Sequence, residues 1–213
     1  RYNENSIIAE FYTENHGKSS GIIFGATSSK IKNYLQIGNK LYLNYNYKNE
    51  GKLGYYKIEI FKAYTPYYFD YKEKLLCIVS AINLVKLLTV ESQSNVNVFN
   101  LIGDLYSIIN IDDWIKEYIF WELKLLEIVG FNLQLNKIAK SEVINNEKKY
   151  FVGSNSEKKY IPNFLIDRNE KKLDKETVSK ALKLVGDFLE KNVLKPNNIS
   201  YPNSRLEFVN LFK

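Results

Sequence analysis

The residue types best suited to chemistry are scarce in this chain, which has one cysteine, Cys77, and one histidine, His16. One cysteine excludes an intrachain disulfide and suits a reducing compartment. Two soft ligands also fall short of the four that a structural zinc ion takes. Cys77 lies in the apolar run from Leu75 to Val85, where a small core residue is the expected role. A Cys–His catalytic pair would need a third group to orient the base, and no such group is apparent. His16 falls on a turn tip, Glu14-Asn15-His16-Gly17, so solvent exposure is expected, with phosphate contact as the alternative. Asp112-Asp113 is the one adjacent carboxylate pair, and acids at a helix start explain it. No P-loop, G-x-S-x-G or H-E-x-x-H occurs. Catalytic residues, a metal and a cofactor are therefore not expected, and the chain reads as a binding protein rather than an enzyme.

Charge is the remaining chemical signal. The net charge is +6, with a pI near 9.1, which points toward a polyanionic partner. Its distribution is uneven: eight lysines lie between His16 and Lys62 against Glu50 and Glu59 alone, so this stretch carries the whole excess. Lys18, Lys30, Lys32 and Lys40 are the expected phosphate contacts, with Lys48 and Lys57 as outer members. On the strand expected after residue 40, Lys40, Tyr42, Asn44, Asn46 and Lys48 project from one face, and Tyr42 is the candidate for stacking on a base.

Two kinds of periodicity must position these residues. Ile7, Ala9 and Phe11, then Gly21 to Ala26, then Leu41, Leu43, Tyr45 and Tyr47, then Tyr56, Ile58 and Ile60 follow period two, bounded by Gly and Asn. That predicts four short strands and a small barrel or curled sheet. After Pro66 the period becomes helical. One helix holds Leu75, Leu76, Val79, Ile82 and Leu87, and a second spans Val96 to Ile109. A third starts at Asp112-Asp113 and ends at Gly130, and a last amphipathic helix starts at Asp174, with Pro196 and Pro202 beyond it. Tyr150 to Ile166 reads as a short strand or loop excursion with a turn at Ser154-Asn155-Ser156. The fold class is therefore α+β: a small β domain over 1–68 and a helical domain over 69–213, with an irregular or β excursion near 138–170. The composition, 45% hydrophobic and 25% charged, is that of an ordinary globular protein. The longest apolar run is too short to span a bilayer. A chain opening on Arg1 rather than Met is expected to lack a few N-terminal residues rather than to follow a processed leader.

The stretch from Tyr2 to Lys30, Y-N-E-N-S-I-I-A-E-F-Y-T-E-N-H-G-K-S-S-G-I-I-F-G-A-T-S-S-K, closely resembles the opening of the RecO family, with its "Y-x-E-x-S", "T-x-x-x-G" and "G-A-R-S-x-K" pieces. The resemblance continues through L-K-L-L-E-I-V-G-F, ending at Phe131, to Pro202-Asn203-Ser204-Arg205-Leu206. It implies an N-terminal OB-fold barrel, its first strand incomplete here, followed by a helical domain. It also implies binding of single- and double-stranded DNA, annealing of complementary strands, and a cytoplasmic, nucleoid-associated setting. The implied partners are RecR, the C-terminal tail of single-stranded-DNA-binding protein and, functionally, RecA. An OB-fold protein with another role, such as RNA binding, is the alternative. Thr27 stands where many members carry Arg, and Ile138, Ala139, Lys140 and Ser141 stand where some carry zinc-binding cysteines, so a metal requirement is not inherited. Arg205, matching the family's terminal Ser-Arg, is expected to tie the tail to the body through a carboxylate or carbonyl. The acidic, apolar-ended partner tail is expected on the third helix, where Phe120 lies between Lys116 and Lys124, with Phe131 beside them.

Overall fold

The structure is a computed structural model that describes residues 2–46, 53–154, 157–168 and 173–213. The period-two segments form β1 (Ser6–Thr13), β2 (Gly17–Phe24), β3 (Lys40–Asn46) and β4 (Tyr55–Lys62). Their spatial order is β1-β2-β4-β3. The pairs β1–β2 and β3–β4 are antiparallel hairpins. Strands β2 and β4 meet parallel at Ile22 and Tyr55, where Ile22 N donates to Gly54 O at 2.9 Å. A short helix the sequence reading missed, α1 (Ser29–Tyr34), joins β2 to β3, with the Ser28 hydroxyl accepting from Ile31 N at its start. Residues one apart on a strand face opposite ways, so Ile23, Tyr56 and Ile58 turn inward with Ile7, Ala9, Phe11, Leu41 and Leu43, and Ile31, Tyr34 and Leu35 from α1 pack against them. This is an OB-like β domain. Among the described residues no strand joins β1 to β3, so both are sheet edges.

Two glycines show how closely this sheet is packed. Gly17 opens β2 at φ +63°, and a Cβ there would lie 1.8 Å from Gln93 O. The β1–β2 turn is thus pressed against the 91–95 segment, where Ser92 N donates to Lys18 O at 2.8 Å and the Tyr12 hydroxyl donates to Asn95 O. Burial raises the Tyr12 pKa, partly offset by that hydrogen bond. Gly21 lies under the Tyr56 ring, which would be 2.5 Å from an added Cβ.

The helical segments follow as α2 (Lys72–Leu88), α3 (Val96–Ile108) and α4 (Trp114–Ile128). On α2 the fully buried face carries Cys77, Ile78, Ala81, Leu84 and Val85, whereas the apolar set read from the sequence is only half-buried. Gly130, at φ +95°, ends α4 as expected: its N–H reaches Glu127 O at 3.1 Å and that of Phe131 reaches Leu126 O at 2.7 Å. Asp113 sits at the α4 N-cap without a side-chain hydrogen bond, so its charge acts on the helix end through the dipole alone.

Within the helical second domain the expected excursion near 138–170 is a three-stranded sheet. A short α5 (Leu135–Ile138) leads into an antiparallel meander of β5 (Lys140–Ile144), β6 (Glu147–Ser154) and β7 (Glu157–Ile161). Its alternation is hidden in the sequence because adjacent residues Tyr150 and Phe151, facing opposite sides, are both buried. Tyr150 donates to Asp167 at 2.7 Å. On the other side Lys158 lies over the Phe151 ring, and Glu142 accepts from Lys158 and Tyr160. After α6 (Phe164–Asp167), Asp174 caps α7 (Lys175–Leu189) by accepting from Thr177 N at 2.7 Å, and hydrogen bonding from the Thr177 side chain together with that N–H holds its pKa below the usual value. A π-helical and a 3-10 turn follow, and α8 (Asn203–Asn210) then forms beyond Pro202. Pro202 opens this helix as its N-cap, a role beyond the stop that its position after α7 predicts. Contacts divide the chain into two units between Gly103 and Asp104, within α3. The change of sequence period after residue 68 therefore lies inside the first unit.

In the second unit, Arg205 on α8 is 3% exposed and pairs with Glu122 on α4, 2% exposed, at 2.7 Å. Arg205 also donates to Leu182 O on α7 at 3.3 Å, and Tyr118 donates to the other Glu122 oxygen at 2.8 Å. Tyr201, its pKa pushed up by burial to about 12, donates to Gly186 O on α7. Burial opposes the Arg205 charge, but Glu122, together with Tyr118 and Tyr201, outweighs it and raises the pKa above the ordinary arginine value. The expected carboxylate and carbonyl anchors are thus both present. Because breaking a buried pair strands one charge, Arg205→Ala and Glu122→Ala are each expected to cost about 3–5 kcal/mol in urea unfolding, while an Arg205→Met/Glu122→Leu double variant recovers most of it. Single variants that unfold within about 0.5 kcal/mol of wild type would show that the pair does not anchor α8.

Candidate nucleic-acid interface

Strand alternation sends Lys40, Tyr42 and Asn44 outward from β3, and the register sets them beside Lys57, Glu59 and Phe61 on β4. All six are exposed. The pairing shifts between Lys40 and Leu41: Leu41 faces Ile60 while Lys40 faces Lys62, leaving Phe61 as an extra residue. Such a bulge bends the strand and re-aims its side chains. Here it brings Phe61 edge-to-face with Tyr42, ring centroids 5.0 Å apart. The Lys40 ammonium lies over two rings, 5.1 Å from Phe61 and 5.4 Å from Phe99. Sequence reading found Lys40, Tyr42 and Lys57 but missed Phe61. Its outward parity was visible from Lys57 and Glu59; its meeting with Tyr42 depends on the cross-strand register, which the sequence does not show.

The other expected contacts meet different fates. Lys30 and Lys32 stand exposed on α1, Lys30 over the Tyr34 ring at 5.7 Å. Lys48 lies outside the described residues. Lys18 is engaged elsewhere: its Nζ donates at 2.9 Å to Lys86 O, one of the last α2 carbonyls, which lack partners inside the helix. Lys86 in turn pairs with Glu10 at 3.3 Å. Thr27, in place of the family's Arg, donates to Asn5 Oδ1. His16 is exposed on its turn.

On α4, Tyr118, Trp121 and Leu125 are buried along one stripe at spacings of three and four, with Trp114 half-buried. Phe120 is not an open anchor. Phe164 packs edge-on against it at 5.9 Å and the Arg168 guanidinium covers its ring at 4.4 Å. Lys116 donates to Arg168 O at 2.9 Å, and Lys124 pairs with Glu127 at 2.8 Å. Phe131 is half-buried at the helix cap. The structure thus gathers Lys116, Phe120 and Arg168, and Arg168 is the member that sequence reading missed, since it lies 48 positions beyond Phe120. Among the described residues, no group of three or more His, Cys, Asp or Glu is placed to hold a metal ion, and no helix is long and apolar enough to cross a membrane.

Comparison with known proteins gives a consistent picture. Residues 1–64 match the family described as Recombination protein O N terminal, and residues 72–200 match Recombination protein O C terminal. A protein of Rickettsia canadensis named DNA repair protein RecO is 30% identical over 208 residues, covering 91% of this chain and 85% of that protein. Proteins of the same name from Rhodospirillum centenum and Ehrlichia chaffeensis are 23% and 25% identical, covering 100% and 99% of this chain and 90% and 93% of theirs.

A lysine held by a helix end supports the fold before it supports a ligand. Lys18→Ala is expected to speed amide hydrogen exchange at the end of α2 and lower stability by about 0.3–1 kcal/mol. Unchanged exchange there would show that the cap contributes nothing.

Proposed function

Because the chain belongs to the RecO family of DNA repair proteins, we propose that it is a recombination mediator that binds single- and double-stranded DNA and anneals complementary strands without catalysing a reaction of its own. With RecR it helps load RecA on strands coated by single-stranded-DNA-binding protein, in the cytoplasm at the nucleoid. The observation that carries this reading is the exposed, lysine-bearing outer side of the OB-like domain: Lys40 and Lys57 on the sheet, Lys30 and Lys32 on α1. Annealing requires two polyanions to approach, so a surface that screens phosphates accelerates it. Contacts to backbone rather than to base edges leave the bases available to pair.

The test is annealing of complementary strands precoated with single-stranded-DNA-binding protein, with RecR and without nucleotide or metal. Wild type is expected to anneal them. With four phosphate contacts, log K for a single strand should fall against log salt with a slope near −3, and Lys30→Glu and Lys32→Glu should each flatten it by about 0.7. An unchanged slope in both variants removes α1 from the DNA path. Preference for folded RNA over single-stranded DNA would favour the alternative, an RNA-binding role.

For the acidic, apolar-ended tail of single-stranded-DNA-binding protein, the second unit supports a receptor built on Phe120 with Lys116 and Arg168; Lys124, held by Glu127, and Phe131 are outer members. In peptide titrations, Phe120→Ala and Arg168→Glu are each expected to weaken the tail while naked-DNA binding stays intact. Folded variants that bind the peptide as tightly as wild type would discard this site.

A further inference from the structure

Single exposed apolar residues are ordinary on a protein surface; two large rings in contact on an outward strand face, fixed beside cations, are less so. Tyr42 is 60% exposed and Phe61 49%. We infer that Tyr42, Phe61 and Lys40 form a stacking site for an unpaired nucleobase of single-stranded DNA, and that this site, rather than the lysines, makes the protein distinguish a single strand from a duplex. The inference rests on the DNA-binding reading above and adds to it the part of the ligand that is recognised.

Three observations carry it. The ring geometry is preset: the β4 bulge adds one residue, Phe61, at the position where Tyr42 can meet it edge-to-face. The charge is also preset, since Lys40 is held by two rings, and no carboxylate of the described residues pairs with it. It therefore retains its full attraction for a phosphate. The surroundings complement a nucleotide strand: Lys40, Lys57 and Lys62 share this stretch of the sheet with one acid, Glu59, opposite Tyr42. An aromatic face beside a cation matches a base attached to its own phosphate. Duplex DNA offers the phosphates but keeps its base faces stacked, so only a single strand can use both parts.

The experiment compares three ligands by fluorescence anisotropy: a single-stranded oligonucleotide, the same strand with its central sugars abasic, and a duplex. Each is titrated against wild type, Phe61→Ala, Tyr42→Ala and Phe61→Leu, the last keeping most of the side-chain bulk without a π face. Circular dichroism melts verify that each is folded. Wild type should prefer the intact single strand to the abasic one. Phe61→Ala and Phe61→Leu should each weaken the intact strand by about 5- to 150-fold, the range of one stacked base. Binding to the abasic strand and the duplex, and the salt slope, should not change. Wild type binding intact and abasic strands equally overturns the stacking site while leaving the DNA reading in place. Equal losses on all three ligands also overturn it, because the face would then act through charge or fold. Wild type binding none of the three overturns the DNA reading itself, and the stacking site with it.

Discussion

Burying a guanidinium and a carboxylate together is unfavourable unless each finds nearly all its partners, and that requirement organises the second unit. Glu122 receives Arg205 on one oxygen and Tyr118 on the other; Arg205 also reaches Leu182 O. Arg205 Nε remains buried without a partner, so the network is not fully satisfied and its stability depends on keeping the charges matched. Through it three helices distant in sequence are fixed in one arrangement. Tyr118 lies against Trp121 and meets Phe208 edge-on, so the ion pair sits within an aromatic cluster that keeps water from screening it.

The first unit makes a different use of charge. Its excess of lysines would suggest a uniformly basic surface, but the structure assigns them unequal work. Lys18 ties the β1–β2 hairpin to the end of α2 and Lys86 returns the contact to Glu10. Lys40, steadied by two rings, stays exposed with Lys32 and Lys57, so Lys18 is the cation withdrawn from a ligand. Counting cations in the sequence therefore overstates how many can neutralise a ligand.

What the sequence made legible was what depends on local repetition. The four strands emerge because one face of each is inward, so Leu41, Leu43, Ile58 and Ile60 announce themselves by parity. The α4 boundary emerges because Asp113 places negative charge at the helix start and Gly130 takes the positive φ that ends it. Features set by distant residues stayed hidden. Phe120 lies between two lysines on α4, and the 164–168 segment that covers it stands more than forty residues on. The excursion near 138–170 was legible, but its three-stranded pairing was not, because Tyr150 and Phe151 are buried on opposite sides, which erases alternation. Pro202 fits either the end of one helix or the start of another, and Arg205 meeting Glu122 settles which.

The seat of Gly21 under the Tyr56 ring bears on how such a sequence can change over generations. Every glycine codon begins with two guanines, whereas the codons for lysine, asparagine, isoleucine and tyrosine draw mostly on adenine and thymine, and this chain holds 17 tyrosines and ten glycines. Mutational pressure toward adenine and thymine therefore pushes against glycine wherever it stands. At position 21 any replacement would force the Tyr56 ring out of the core it shares with Ile23 and Ile58, and at position 17 it would meet the Gln93 carbonyl itself. At those two sites folding and base composition pull in opposite directions, and a lineage under such pressure can keep the domain only by retaining both glycines.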